Sequence, residues 1–152
     1  MDLAALKLKV HQKCLHLALT KIESLKSELV ALQEASNQDT KSSAGDKYET
    51  GRSMIMLEKE KLGVQLMEAY KLKKALDLID VKKKFLRAEL GALIQSGGQY
   101  YYLSTNFGLL TIDGHDIFSL SALSPIGQAM LGKTVGDPYD FRGQKFSIEK
   151  IA

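Results

Sequence analysis

Two short stretches of this chain combine residue types that could do chemistry. Gly127-Gln128-Ala129-Met130-Leu131-Gly132-Lys133-Thr134 matches the phosphate-binding loop letter for letter: Gly, four residues, Gly-Lys, then Thr. Such a loop follows a strand, wraps its N–H groups round phosphates and opens into a helix at the Lys. In this chain the order is reversed. A short helix is expected inside the loop, over residues 126–131, and Val135-Gly136-Asp137-Pro138 after it does not propagate a helix. The match is therefore read as coincidence. The second stretch, Gly45-Asp46-Lys47-Tyr48-Glu49, sets two carboxylates three residues apart at an expected helix start, where they can point the same way. Carboxylate oxygens suit a hard cation such as Mg²⁺. The same pair equally suits a capping box or the positive end of the helix dipole. From the residues alone, capping is the simpler reading.

Other reactive types are sparse. Cys14 is the single cysteine, which rules out an internal disulfide and fits a reducing cytosol. It lies in an amphipathic helix, where packing is its expected role. His11 falls on the apolar seam of that helix, and His16 lies on another face, so the two do not form a metal pair. No Ser/His/Asp set and no zinc spacing is present, so an independent enzyme is not expected.

Composition narrows the class. The 152 residues suffice for one ordinary domain or two small ones. With 45% hydrophobic and 26% charged residues, the chain reads as an ordinary globular protein rather than a disordered one. No apolar run approaches the roughly 20 residues that span a bilayer, and residues 1–7 lack the pattern of an export signal. A cytoplasmic location without a membrane role is expected. The net charge of +3 is too weak to argue for nucleic-acid binding. The run Lys82-Lys83-Lys84 reads as a solvated face near a helix end.

The residues before Gly91 are rich in Leu, Lys, Glu and Ala, which are good helix formers. Leu8, His11, Leu15, Ala18, Ile22, Leu25, Leu29 and Leu32 alternate in steps of three and four, the seam of a helix packed on another. This pattern stops at Ser36. A polar stretch over residues 37–45 follows, and a second helix is expected from Asp46 or Lys47 to about Leu90. Its seam is Ile55, Leu62, Leu66, Ala69, Leu72, Leu76, Ile79, Leu86 and Leu90. A short link makes the two helices antiparallel neighbours. Their length suggests that something at the tip is delivered into a narrow place; a dimerising coiled coil is the other reading that the heptads allow.

After Gly91 come most of the glycines, both prolines, and Tyr and Phe among Gly and Ser, a pattern of short strands and turns. Strands are expected near residues 100–103, 107–112, 116–120 and 145–151, with Asp113-Gly114 as a hairpin turn. Ser124 is an expected N-cap, with Pro125 in the first helical turn. The fold class is α+β: an N-terminal antiparallel two-helix coiled-coil hairpin over residues 1–91, its tip at about 37–49, and a small, mostly antiparallel sheet domain with a short helix over 98–152. Gln95-Ser96-Gly97-Gly98 is read as the flexible joint between them.

The run Ser121-Ala122-Leu123-Ser124-Pro125-Ile126-Gly127-Gln128-Ala129-Met130-Leu131-Gly132-Lys133-Thr134-Val135-Gly136-Asp137 resembles the C-terminal signature of the Gre family of bacterial transcription elongation factors. Leu25-Lys26-Ser27-Glu28-Leu29-Val30-Ala31-Leu32 resembles that family's first-helix pattern. Gly45-Asp46-Lys47-Tyr48-Glu49-Thr50 keeps the Gly, Asp and Glu of its tip, and Phe146-Ser147-Ile148-Glu149-Lys150-Ile151 fits its final strand. The resemblance covers nearly the whole chain and implies a monomer with an FKBP-like C-terminal sheet that docks on RNA polymerase at the secondary channel, through residues including Ser121, Ser124, Pro125, Ile126 and Gly127. It implies that Asp46 and Glu49 reach the polymerase active centre, close to the nascent RNA 3′ end. There they help hold a Mg²⁺ shared with the polymerase, which cleaves its own backtracked RNA. No cofactor of the chain's own and no small-molecule substrate is implied, and the chain stimulates the polymerase's nuclease rather than acting as an enzyme alone. Beyond Glu49 the chain reads Thr50-Gly51-Arg52-Ser53 where the family continues Asn-Ala-Glu-Tyr. That difference motivates the alternative of a Gre-fold regulator that occupies the channel without promoting cleavage.

Overall fold

The computed structural model describes residues 2–42 and 46–152, without the side chains of residues 39–42 and 46–50. Helix α1 spans Leu3–Ser42 and α2 spans Asp46–Asp77. Six strands follow: β1 Leu93–Ser96, β2 Gln99–Leu103, β3 Gly108–Ile112, β4 His115–Leu120, β5 Pro138–Phe141 and β6 Gln144–Ile151, with the short helix α3 at Pro125–Met130 between β4 and β5. The α+β class and the order of hairpin, sheet and short helix are as expected. The chain forms two compact units: Leu17–Lys73, and Met1–His16 together with Lys74–Ala152. Among the described residues no helix is long and apolar enough to cross a membrane.

The unit 17–73 is a helical hairpin. Ile22, Leu25, Leu62 and Ala69 are buried between its helices, with Leu29, Leu32 and Leu66 packed around them. The helices run antiparallel, because Lys26 lies over the Tyr70 ring near one end while Lys59 donates to Gln33 Oε1 at 2.6 Å further along. Two helices enclose little volume, so this strip of Leu, Ile and Ala side chains supplies most of what holds them together. The first helix continues to Ser42, past the expected stop at Ser36: residues 37–42 are polar but include no Pro or Gly, so no breaker ends it there.

The second helix stops at Asp77, well short of the expected Leu90. The apolar period continues through Ile79, but the Asp80 carboxylate accepts the Lys82 N–H at 3.1 Å and the Asp80 carbonyl accepts the Lys83 N–H at 3.1 Å. A side chain that takes over backbone donors in this way offers the chain a turn in place of a helix. Leu86 and Leu90, read as seam residues, are consequently exposed.

In the other unit the strands follow the order β3-β4-β2-β1-β6-β5. All pairs are antiparallel except β2 with β4, which is parallel, so the sheet is mostly antiparallel, as expected. Gln95-Ser96-Gly97-Gly98 is not a loose joint. Gln95 and Ser96 pair in β1, and Gly97 and Gly98, at φ 58° and 75°, make a two-residue hairpin turn. Asp113-Gly114 turns the β3–β4 hairpin as expected, and Arg142-Gly143 does the same between β5 and β6. Phe85, Ala88, Ala92, Ile94, Leu103, Met130, Tyr139 and Ile148 form the core, and Ser96 Oγ bonds the Tyr139 hydroxyl at 2.6 Å inside it.

The first four turns of α1 belong to this unit. They bury Leu6, Val10 and Cys14, not the expected Leu8, which is exposed. Lys7 is also buried. Its Nζ donates to the Lys83 carbonyl at 2.9 Å and lies over the Phe85 ring. His11 Nδ1 and the Tyr102 hydroxyl share a 2.7 Å hydrogen bond, and the Cys14 thiol lies 3.6 Å from Ser119 Oγ. Burial pushes the Cys14 thiol up, against the pull of the Ser119, Thr105 and Ser104 hydroxyls, so the thiol is inert packing. Burial holds His11 below its ordinary 6.5; Lys7 adds to this and Asp77 opposes it. The unfolded chain therefore binds a proton at His11 more readily than the folded chain, and the associated stability is lost as pH falls from 6.5 through the folded value. Thermal melts of the protein are expected to show falling stability over that range. His11→Gln, which keeps a hydrogen-bonding partner for Tyr102 but does not titrate, is expected to flatten the pH dependence.

Candidate docking segment and hairpin tip

The segment 121–137 is folded by its own polar groups. Ser124 caps α3: its hydroxyl accepts the Gly127 N–H at 3.2 Å and donates to the Ser121 carbonyl at 2.6 Å. Such a cap is worth about 1 kcal/mol. Ser121 Oγ accepts the Leu123 N–H at 3.0 Å, and Gln128 Nε2 closes back on the Leu123 carbonyl at 2.9 Å. Pro125 occupies the first helical turn, where its missing N–H costs nothing. Gly127 is buried at the point of closest approach. A Cβ there would stand 2.5 Å from the Ser121 carbonyl oxygen, 2.9 Å from Ser124 Oγ and 3.0 Å from the Ala122 carbonyl oxygen. Glycine is required by space, since its φ is not in the left-handed region.

The far end of the segment is pinned by backbone bonds. Gly132 N–H donates to the Ala88 carbonyl at 2.7 Å and Ala88 N–H to the Lys133 carbonyl at 2.8 Å. Asp137 Oδ2 accepts both the Thr134 N–H, at 2.8 Å, and the Thr134 hydroxyl, at 3.0 Å. These two bonds hold the Asp137 carboxyl below its usual range. The phosphate-loop match is thereby excluded. Helix α3 fills the loop, and Thr134 is engaged with Asp137 instead of opening a helix.

The five residues singled out in this segment therefore play different parts. Ser121, Ser124 and Gly127 build it, Ile126 packs on the core, and Pro125 alone is exposed. The surface the segment presents includes Leu123, Leu131 and Val135, which are 77%, 48% and 59% exposed. The sequence reading did not single out these three as exposed apolar residues. They belong to the signature, but nothing in their spacing says which side of so short a helix faces out.

Asp46 begins helix α2, as expected. The side chains of Asp46 and Glu49 lie outside the described residues, as does Gly45. As a donor set, two carboxylates fit a hard divalent cation. Among the described residues, no group of three or more His, Cys, Asp or Glu side chains is placed to hold a metal.

No family model matches the chain, and no curated protein matches it. Among solved structures, it is similar to one described as the transcription factor Gfh1, at 17% identity and a TM-score of 0.38, over 91% of this chain and 92% of that one.

Proposed function

We propose that this chain is a Gre-like transcription elongation factor that binds RNA polymerase at the secondary channel and stimulates cleavage of backtracked RNA. The observation that carries the reading is the segment 121–137. Its resemblance to the family signature extends to residues with a physical task in this fold: Ser124 as cap, Gly127 at a contact that admits no side chain, Asp137 as the closing acceptor. The same segment leaves the large apolar side chains of Leu123, Leu131 and Val135 uncovered, and such side chains are available to a partner surface. A helical hairpin stands N-terminal to the sheet, in the order the family resemblance requires.

In this reading the chain binds and positions, and the polymerase supplies the nuclease chemistry. The segment 121–137 docks on the polymerase. Asp46 and Glu49 then add carboxylate oxygens at the active centre, where Mg²⁺ would stabilise charge on the oxygens of the phosphoryl transfer. The chain itself adopts the FKBP-like sheet as a docking platform, without isomerase activity. A second reading is favoured by Thr50-Gly51-Arg52-Ser53. Arg52 adds a positive charge beside the two acids, and Gly51 weakens the helix that presents them by about 1 kcal/mol relative to Ala. A chain with this tip would occupy the channel and leave the RNA uncut.

Both readings require docking. Purified polymerase is expected to retain the wild-type protein in gel filtration, and Leu123→Asp with Leu131→Asp is expected to weaken retention by about tenfold or more, since buried interface anchors contribute over 1 kcal/mol each. Retention unchanged by both substitutions would remove the segment from the interface.

A further inference from the structure

The face of α2 turned away from α1 is unexpectedly apolar. Leu57, Val64 and Met67 are 65%, 64% and 59% exposed, and they lie along one side of the helix at helical spacing, opposite the buried Leu62 and Ala69. A shallow groove runs between Glu60, Gly63, Val64, Met67, Glu68 and Lys71. Gly63 flanks it in mid-helix. A Cβ at Gly63 would touch nothing within 4 Å, so no neighbour in this chain requires a glycine that costs about 1 kcal/mol relative to Ala. Such a residue is useful where another backbone or a long side chain comes close from outside.

The charges on this face identify what comes close. Laid antiparallel on itself with Val64 opposite Met67 of the partner subunit, the helix brings Glu60 opposite Lys71 of the partner subunit. The two-fold axis repeats both contacts. In the same register Gly63 faces Glu68 of the partner subunit, whose long stem needs the room. In this register the face is complementary to itself at Glu60 with Lys71 and at Val64 with Met67, while Leu57 falls opposite Lys74 of the partner subunit; within each copy Lys71 also lies 3.7 Å from Glu68.

We infer that this outer face of α2 is a self-association surface, on which a second copy of the chain packs antiparallel about the Val64–Met67 contact. The stretch 57–71 spans about 21 Å of helix. An interface of that length is below the standard size, which makes the dimer weak and concentration-dependent. The monomer expected from the sequence is then the dilute form. The inference does not rest on the proposed polymerase role, and its test uses the protein alone.

Sedimentation velocity of the full chain, from low micromolar to several hundred micromolar on the scale of weak interfaces, is expected to show the mass rising from 16.8 kDa towards twice that value. Glu60→Lys and Lys71→Glu each set like charges opposite one another twice, and each is expected to weaken association by about tenfold, more at low salt. Mixed in equal amounts, the two variants present opposite charges at both contacts and are expected to associate again. Both side chains are exposed, and recovery on mixing shows that each variant is folded. A monomer at every concentration would overturn the inference, as would association indifferent to the single reversals. If the chain stays monomeric while the same reversals lower its retention on polymerase, the face belongs to the polymerase instead.

Discussion

A protein carrying Asp46→Ala and Glu49→Ala is expected to bind RNA polymerase as the wild type does and to lose cleavage stimulation by at least about 100-fold, the usual scale for removing a preorganised charge from a reacting centre. The two effects separate because the segment proposed to dock, 121–137, lies elsewhere in the chain. Carboxylates in a first helical turn contribute about 0.3–1 kcal/mol each through the helix dipole, so the hairpin should survive their removal. This substitution also decides between the two roles that the pair can have. If Asp46 and Glu49 only cap α2, melting falls slightly and stimulated cleavage is intact. If they act on the polymerase, cleavage falls and melting barely moves. Single-turnover RNA shortening, measured beside a thermal melt, reads both.

The second large effect is expected at Gly127. Even Gly127→Ala sets a methyl group 2.5 Å from the Ser121 carbonyl oxygen and 3.0 Å from the Ala122 carbonyl oxygen. Both are backbone atoms, so the strain is not relieved by turning a side chain. Either the Ser121–Ser124 turn opens, with loss of the Ser124 cap, or α3 is displaced from the core that Met130 and Ile126 help to form. Overpacking of this kind costs about 1–3 kcal/mol, and losing the cap adds about 1 kcal/mol. A fall in Tm on the order of 5–10 °C is expected for a chain of this size. An unchanged Tm would mean that the segment is far more yielding than its bonds indicate. Gly132→Ala is the contrasting substitution: nothing lies within 4 Å of its Cβ position, and its cost is that of φ 79° alone.

The sequence announced the parts of this fold that rest on local pattern. Both helices, four of the strands, the Asp113-Gly114 turn and the Ser124 cap follow from period and from turn chemistry. What it hid depends on competition between signals. The apolar period of α2 runs on through Ile79, and only the hydrogen bonds of Asp80 reveal why the helix stops. Strand β1 is four residues long and ends in Gly-Gly, which reads equally as a linker; pairing with both β2 and β6 makes it a strand. Strand β5 opens on Pro138, a residue that discourages a strand reading, yet it sits at the sheet edge where a missing N–H is harmless. In α1, Leu8 and Leu15 fit the heptad better than Lys7 does. Lys7 is buried all the same, because a carbonyl and a phenyl ring receive its ammonium group. The site was legible unevenly for a similar reason. Ser124 could be singled out because capping demands particular residue types, and Gly127 because the family resemblance includes it; the close approach that requires a glycine there became visible only in the fold. Leu123, Leu131 and Val135 could not, since exposure is a property of how α3 packs.

The central claim is that this chain makes RNA polymerase cut backtracked RNA. It is tested most directly in a stalled, backtracked elongation complex assembled with the cognate polymerase, incubated with and without the protein. The account predicts shortened RNA that can be extended again when nucleotides are added. Bound protein with RNA of unchanged length would contradict it and would leave the chain as a channel-occupying regulator, the role that Gly51 and Arg52 favour.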